Sequence, residues 1–230
     1  MAASSTPLPA GLLLGGVLRP AGVTTSFLRA PFVDVLSHLS EWRRSLGDEL
    51  AERQVLFHDV VKALEPFEAP WTREALFDCG EWTAYMNNFR YGGDPSSAAP
   101  YLATSLRIEC FTATHAPPYG PGHAQTSLEI IGPSGRPPLM GIRSIAAHAE
   151  DGRWTWCLYG TQQPFEKINR YSERIIRRRF DRELLLEYLA AVGIRADDSD
   201  FYGPGALVVQ VVDCDRVQFT AQQVRDDLGW

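Results

Sequence analysis

Lysine is scarce in this chain, and so are cysteine and long apolar runs. Only Lys62 and Lys167 are lysine among the 22 basic residues, so arginine supplies almost all of the positive charge. The net charge is -6, which disfavours a surface that coats polyanions and therefore disfavours nucleic acid as a partner. The arginine bias, with abundant alanine, glycine and proline, is typical of a protein encoded by a GC-rich bacterial genome.

The few cysteines and the one short apolar run exclude several further classes. The cysteines stand thirty residues or more apart, which fits neither a small disulfide framework nor a paired-cysteine metal site. We predict that all four are reduced core residues: Cys79, Cys110, Cys157 and Cys214. The run Leu12 to Leu18 is too short to cross a bilayer and no basic residue precedes it. The sequence therefore predicts a cytoplasmic protein with no membrane partner.

Motifs for nucleotide, nucleophile and metal chemistry are also missing. Neither GxGxxG nor GxxxxGK[ST] occurs, and no serine stands in a GxSxG elbow. The five histidines show none of the HxH, HxxxH or HExxH spacings that place two imidazoles on one metal. We predict no cofactor and no metal site, and the pattern leans against an enzyme.

Helical and strand patterns follow one another in blocks. Pro31 precedes apolar residues at helical spacing that end at Gly47, and Asp181 is the predicted N-cap of a helix that stops near Gly193. Between them, residues 107–159 contain short β-prone runs without helical crossovers, which predicts antiparallel pairing. The clearest hairpin is 142–160, which turns at Asp151-Gly152.

These blocks predict an α+β fold in which an antiparallel sheet packs against N-terminal and C-terminal helices. The sheet is assembled from about Cys79 to Tyr159, with the apolar strand 206–214 inserted and buried on both faces. Residues 1–22 are expected to be a partly mobile segment, and residues 23–230 a single domain.

Two local interpretations complete the predicted fold. Residues 48–64 have apolar residues on one helical face, and we favour a helix there although VLF also suits a strand. Residues 115–123, HAPPYGPGH, are rich in residues that cannot join a ladder, so we expect a loop that projects from the sheet.

Charged and imidazole side chains on the predicted strands are candidate ligand-binding residues, because guanidinium groups can clamp an anionic ligand. This set is Arg107, Glu109, His115, Arg143 and His148. Arg143 and His148 have an odd separation on one strand, so they point to opposite faces of the sheet. A structural pair of arginine with glutamate is the competing interpretation.

Aromatic residues and a local basic run supply two more candidate sites. Trp82, Trp154 and Trp156 are either core residues or an open stacking surface, and Trp154 and Trp156 share one face. The basic patch is Arg174, Arg177, Arg178, Arg179 and Arg182. Ion pairs with neighbouring glutamates or contact with an acidic partner explain this patch most simply.

The sequence favours a non-catalytic protein-interaction factor, of toxin-neutralising or accessory type, which binds another protein through its acidic surface. One alternative is a small-molecule-binding protein or enzyme with a pocket between sheet and helices. Another is nucleic-acid binding through the Arg174 to Arg182 patch. The predicted partner is thus another protein, with a small molecule as the alternative.

Overall fold

The structure is a computed structural model that describes residues 13–90, 92, 98–120, 122–212 and 217–228. The strands are β1 Thr24–Leu28, β2 Leu50–Leu56, β3 Phe67–Glu68, β4 Arg73–Cys79, β5 Trp82–Asn87, β6 Cys110–Tyr119, β7 His123–Arg136, β8 Gly141–Glu150, β9 Arg153–Gly160, β10 Gly205–Val211 and β11 Gln218–Phe219. The helices are α1 Phe32–Ser45, α2 Val60–Leu64, α3 Ala98–Leu106, α4 Arg182–Ala191 and α5 Ala221–Leu228.

Nine of these strands form one sheet in the order β2-β10-β4-β5-β1-β6-β7-β8-β9. Every neighbouring pair in it is antiparallel. The strand β10 lies between β2 and β4, so the predicted insertion is confirmed, although some of its side chains are only half-buried. The antiparallel sheet with helices packed on it confirms the predicted α+β fold.

Helices cover the sheet on both faces, and each face has its own apolar core. On one face lie α2, α4 and α5, whose buried side chains include Leu64, Leu185 and Val224. On the other face lie α1 and α3, with Leu39 and Leu102 fully buried against the sheet. Burial of a leucine side chain stabilises the fold by roughly 1.5–3 kcal/mol, so these contacts fix the helices on the sheet.

The hairpin of β8 and β9 forms at the predicted turn. Asp151 and Gly152 both have a positive φ, 49° and 73°, as a two-residue type I′ turn requires. The register pairs Glu150 with Arg153 at the turn and Arg143 with Gly160 at the far end. The type I′ turn matches the natural twist of the strands, which is why the Asp-Gly signal identifies this hairpin.

The helix predicted over residues 48–64 is wrong for most of its length. Residues 50–56 form the edge strand β2 paired with β10, and the α-helix is confined to Val60–Leu64. Pairing with a strand from the far end of the sequence supplies backbone hydrogen bonds that the local helical pattern does not reveal. Farther along the chain, Ile168–Ser172 and Ile176–Arg178 form short 3-10 turns.

The loop predicted to project from the sheet at residues 115–123 is also wrong. The strand β6 continues to Tyr119, which pairs with His123 at the start of β7. Its register shifts between Ala116 and Tyr119, where Pro117 and Pro118 stand. An irregular ladder tolerates prolines because their missing N–H groups are not needed there.

At the N-terminus, residues 1–12 of the segment expected to be mobile lie outside the described part of the chain. The described portion begins with a 3-10 turn at Leu13–Gly16, and both Leu13 and Leu18 are buried.

A candidate interaction surface at one end of the sheet

The helices on the α1 and α3 face stop short of the last two strands. Helix α1 packs on β2, β4 and β5, while α3 packs on β1, β6 and β7. Along β9, side chains alternate between half-buried and exposed at first and are all exposed from Cys157 onward. The strands β8 and β9 therefore extend the sheet beyond the helices on this side.

Eight side chains of β7, β8 and β9 form what we call the open face. They are exposed or half-buried: Gln125, Glu129, Ser144, Ala146, His148, Thr155, Cys157 and Tyr159. The register arranges them in rows across the strands, with Glu129 beside Ser144 beside Tyr159. Tyr159 is the most prominent, with 67% of its surface exposed. The open face is thus mostly polar, with small residues at its centre.

The opposite side of the same strands is covered by the chain that follows β9. Trp154 and Trp156 are half-buried against the core there. The Trp156 ring lies 5.1 Å from the Tyr171 ring, centroid to centroid, and the Arg179 guanidinium carbon lies 6.0 Å from the Trp156 centroid. Trp82 is 2% exposed and belongs to the core. The structure therefore places the three candidate tryptophans among packing residues and not on the open face.

A buried ion pair fixes this covering segment to β8. Arg143 donates to Glu166 through Nε at 2.9 Å and Nη2 at 2.6 Å, and neither side chain is more than 6% exposed. The Glu166 carboxylate also accepts from the Gln163 backbone N–H at 2.7 Å and from the Tyr171 hydroxyl at 3.0 Å. All the oxygen lone pairs are thus engaged in the way a buried carboxylate requires. Arg143 is a structural residue in this arrangement.

The Tyr171 hydroxyl acts as a donor in this network. Burial raises the pKa of Tyr171, and the negative charge of Glu166 raises it further. The phenol therefore stays protonated and donates to Glu166. Tyr188 in turn accepts from the Lys167 backbone N–H at 2.7 Å, which joins α4 to the same segment.

The other residues of the predicted ligand set lie apart. Arg107 stands in the turn after α3, beside a cavity of about 380 Å³, and Glu109 forms an exposed ion pair with Arg29 at 3.0 Å. His115 bonds Thr126 at 3.0 Å on the face of the sheet opposite the open face. Only His148 lies on the open face, and Arg143 points to the other side as its odd separation predicted. The structure does not bring the five side chains together.

A cavity that the sequence did not reveal adjoins the open face instead. It has a volume of about 540 Å³ and opens beside the β7–β8 connection. Its polar lining includes Glu129, Arg136, Ser144 and Tyr159, and Leu139 supplies an apolar wall that is 71% exposed. Strand alternation places Ser144 and Tyr159 on one face, but the position of residues 136–141 depends on tertiary structure.

The basic patch divides into exposed and engaged arginines. Arg182 pairs with Asp197 at 2.6 Å, and Arg179 donates to the Glu173 backbone oxygen at 2.7 Å. The remaining three arginines are exposed: Arg174, Arg177 and Arg178. No described carboxylate lies within ion-pair distance of their guanidinium groups. We call residues 174–178 the arginine turn. Its last three residues pack on β8 and β9 from the covered side.

The strand β9 is also a free edge. It is the last strand of the sheet and pairs only with β8 among the described strands. In a two-residue hairpin the pair next to the turn exchanges hydrogen bonds, and such pairs then recur at every second residue. Because Glu150 and Arg153 flank this turn, Trp154, Trp156 and Leu158 direct their backbone N–H and C=O groups away from the sheet.

The cysteines do not share one environment. Burial raises the pKa of Cys79 and that of Cys110 to about 12, as expected for inert core thiols. Cys157 is exposed on the open face, so the prediction of a core residue is wrong there, because the helices do not reach β9. Cys214 lies outside the described residues.

Comparison with family models, curated proteins and solved structures finds no match to this chain. No helix in the described segments has the length and apolar character needed to cross a membrane. Among the described residues, no three histidine, cysteine, aspartate or glutamate side chains lie close enough together to hold a metal ion. The function is therefore inferred from the chain's own residues.

Proposed function

We propose that this chain is a protein-interaction factor and that the open face of β7, β8 and β9 is part of its binding surface. The observation that carries the proposal is the exposure of Thr155, Cys157 and Tyr159 at an end of the sheet that α1 and α3 do not cover. Antiparallel sheets can present one solvated face, but an aromatic residue there suits contact with another protein. Tyr159 and Leu139 are the exposed side chains best suited to anchor a partner.

The size of the open face indicates how much more surface a partner needs. Three strands spaced by about 4.8 Å and followed for six residues cover roughly 300 Å². A stable interface buries about 800 Å² on each partner. The partner must therefore also contact the neighbouring edge or the β7–β8 connection.

The charge of the open face favours protein over nucleic acid. Its eight residues include the carboxylate of Glu129 and no lysine or arginine. A face that binds phosphates needs clustered cationic side chains. Together with the composition, this supports an accessory or toxin-neutralising factor in the cytoplasm of a GC-rich bacterium.

The proposal is tested by blocking the centre of the open face. Ala146 lies beside Cys157 in the register, and Ala146→Arg puts a long cationic side chain there without touching the core. The matched control is Ala51→Arg on the exposed strand β2 at the opposite edge. Both variants and the wild type are co-expressed with the product of the neighbouring gene, and the amount that co-purifies is measured.

We expect Ala51→Arg to retain the partner and Ala146→Arg to lose at least about tenfold of it, because a buried unpaired charge costs more than 1.4 kcal/mol. Equal recovery with both variants, or no recovery with the wild type, would contradict the proposal. Circular dichroism checks that both variants fold.

A small-molecule ligand is the second candidate function, and the cavity of about 540 Å³ beside Tyr159 favours it. Charges of both signs and an apolar wall converge there, as in many ligand sites. Ser144→Trp would fill this cavity. A compound that raises the melting temperature of the wild type but not of Ser144→Trp would support this function.

A further inference from the structure

We propose that the free edge of β9 accepts an extended, acidic segment of the partner as a tenth strand of the sheet. This inference rests on the proposed function and specifies the chemistry of the partner. A strand added at an edge is held by main-chain hydrogen bonds, and its alternating side chains supply the specificity. The added strand would bond to Trp154, Trp156 and Leu158, whose backbone groups point outward.

The edge of β9 lacks the features that protect edge strands from pairing. Its sequence, RWTWCLYG, contains no proline and no lysine, and its only charged residue is Arg153 at the start. The opposite edge strand β2, LAERQVL, carries Glu52 and Arg53 at its centre. Charged side chains, proline and short length are the usual means of blocking an edge. Of the two ends of this sheet, β9 is therefore the one suited to receive another strand.

The arginine turn determines the charge of the added strand. It packs on β8 and β9, and its Arg177 and Arg178 guanidinium groups are exposed. The chain as a whole has a net charge of -6, so this is a local concentration of positive charge. Exposed guanidinium groups without a carboxylate partner favour an acidic segment on that side of the edge.

The same charges argue against a second copy as the occupant. Two copies joined edge to edge would be related by a two-fold axis, which would bring both arginine turns to the same interface. Like charges across an interface are unfavourable. An acidic segment from a different protein has no such penalty.

The pleat fixes which positions of the added strand are acidic. Residues of a strand alternate between faces, so every second side chain of the added strand lies on the covered side, near the arginine turn. The others lie on the open face beside Thr155, Cys157 and Tyr159. The segment that fits therefore alternates glutamate or aspartate with small or β-branched residues over about six positions.

The test uses a fluorescent ten-residue peptide that alternates glutamate with threonine and valine, and the full chain. Binding is followed by fluorescence anisotropy. One control peptide replaces every glutamate with lysine, and a second carries N-methyl groups on alternate residues, which block strand pairing while keeping the charge. We expect both controls to bind at least about tenfold more weakly. Equal binding by the N-methylated peptide, or no binding of the acidic peptide at about 1 mM, overturns the inference.

Proline at the edge separates strand addition from general attraction of charge. The N–H of Leu158 points away from β8, so Leu158→Pro removes an outward donor and keeps the hairpin. The matched control is Gln54→Pro on β2. The Phe57 N–H donates to the Pro204 oxygen and the Val212 N–H donates to the Glu49 oxygen, so the hydrogen-bonded positions of β2 are the odd-numbered ones. The Gln54 N–H therefore also points outward. Peptide affinity should fall at least about tenfold in Leu158→Pro and stay unchanged in Gln54→Pro.

The arginine turn is tested by a double variant, Arg177→Gln with Arg178→Gln, against Arg44→Gln on the exposed surface of α1. The double variant should weaken acidic-peptide binding several-fold at low salt and lose most of its salt dependence, because screening acts on these charges. Unchanged affinity and unchanged salt dependence would overturn the acidic part of the inference. A dimer in sedimentation that Leu158→Pro dissociates would replace the acidic segment by a second copy.

The two proposals fail separately. If the partner is lost from Ala146→Arg but binds Leu158→Pro as well as the wild type, the interaction function stands and strand addition is wrong. If neither Ala146→Arg nor Leu158→Pro changes partner recovery, the proposed binding surface is wrong as well.

Discussion

The buried pair of Arg143 and Glu166 should contribute more to stability than any exposed ion pair near it. The change is Glu166→Gln, which keeps the shape of the side chain and removes its charge. Arg143 then remains buried, with 6% of its side chain exposed, and faces an amide that accepts less strongly than a carboxylate. This pair fixes the segment that covers β9, so the variant also tests how the arginine turn is positioned.

The magnitude follows from the geometry. Removing one partner of a buried ion pair costs about 3–5 kcal/mol, and here Arg143 keeps a hydrogen bond to the Gly160 backbone oxygen at 2.9 Å. We therefore expect a loss of about 3 kcal/mol in the free energy of unfolding. A domain is stable by about 5–15 kcal/mol, so the variant folds but unfolds at clearly lower denaturant. Glu187→Gln removes the exposed pair with Lys167 and should cost less than about 1 kcal/mol.

Urea unfolding followed by circular dichroism measures both losses. A double-mutant cycle with Arg143→Met isolates the interaction, and a coupling free energy of about 2 kcal/mol or more is expected. The reasoning is refuted if Glu166→Gln and Glu187→Gln lower the free energy of unfolding equally. It is also refuted if the double-mutant cycle is additive.

The remaining predictions concern glycines and thiols. Gly160→Ala should lower the free energy of unfolding by several kcal/mol, because its φ is 84° and a Cβ there would overlap the Ile142 carbonyl oxygen. Gly152→Ala, whose Cβ would meet no atom within 4 Å, should cost about 1 kcal/mol, and urea unfolding compares the two variants. In the folded chain, maleimide should react with the exposed Cys157 far faster than with buried Cys110, as peptide mass spectrometry would show; equal rates would contradict the described burial. The free energy of unfolding should fall as pH rises from 9.0 toward about 12, because the unfolded Cys110 thiol loses its proton while the buried thiol keeps it. Each buried thiol changes the free energy of unfolding by at most about 1.4 kcal/mol per pH unit. In the same urea-unfolding assay, Cys110→Ala should lose stability less steeply with pH than the wild type does. Equal pH dependence in the two proteins would contradict this prediction.

Local signals in the sequence were sufficient for some of the fold. Asp151-Gly152 identifies the hairpin because few residue pairs accept two positive φ values. Asp181 was predicted as an N-cap, and its side chain accepts from the Leu184 N–H at 3.0 Å. Both signals depend only on a few adjacent residues, which is why they can be recognised without knowledge of the rest of the chain.

Long-range pairing could not be predicted in the same way. The strand β2 pairs with β10, whose residues follow it by some 150 positions, and its own sequence favoured a helix. Glu166 becomes the partner of Arg143 because an irregular segment returns over β8, and no pattern marks that path. Glu109, which belongs to the same predicted ligand set as Arg143, forms its ion pair with Arg29 instead.

Only part of the candidate site could be predicted from the sequence. Strand alternation correctly predicted that Trp154 and Trp156 share one face of β9, and the structure has Cys157 and Tyr159 on the other. Which of those faces is covered depends on where α1 and α3 end relative to β8 and β9. That is a property of the assembled layers and not of any single strand.

The most direct test of the open face as a binding surface is the alkylation rate of Cys157 with and without the partner. Peptide mass spectrometry follows the alkylation of Cys157 alone, and the product of the neighbouring gene is added at saturation. We predict that the partner slows alkylation of Cys157 at least about tenfold and leaves the rate in the unfolded chain unchanged. A bound partner that leaves Cys157 as reactive as in the free protein would contradict the central claim.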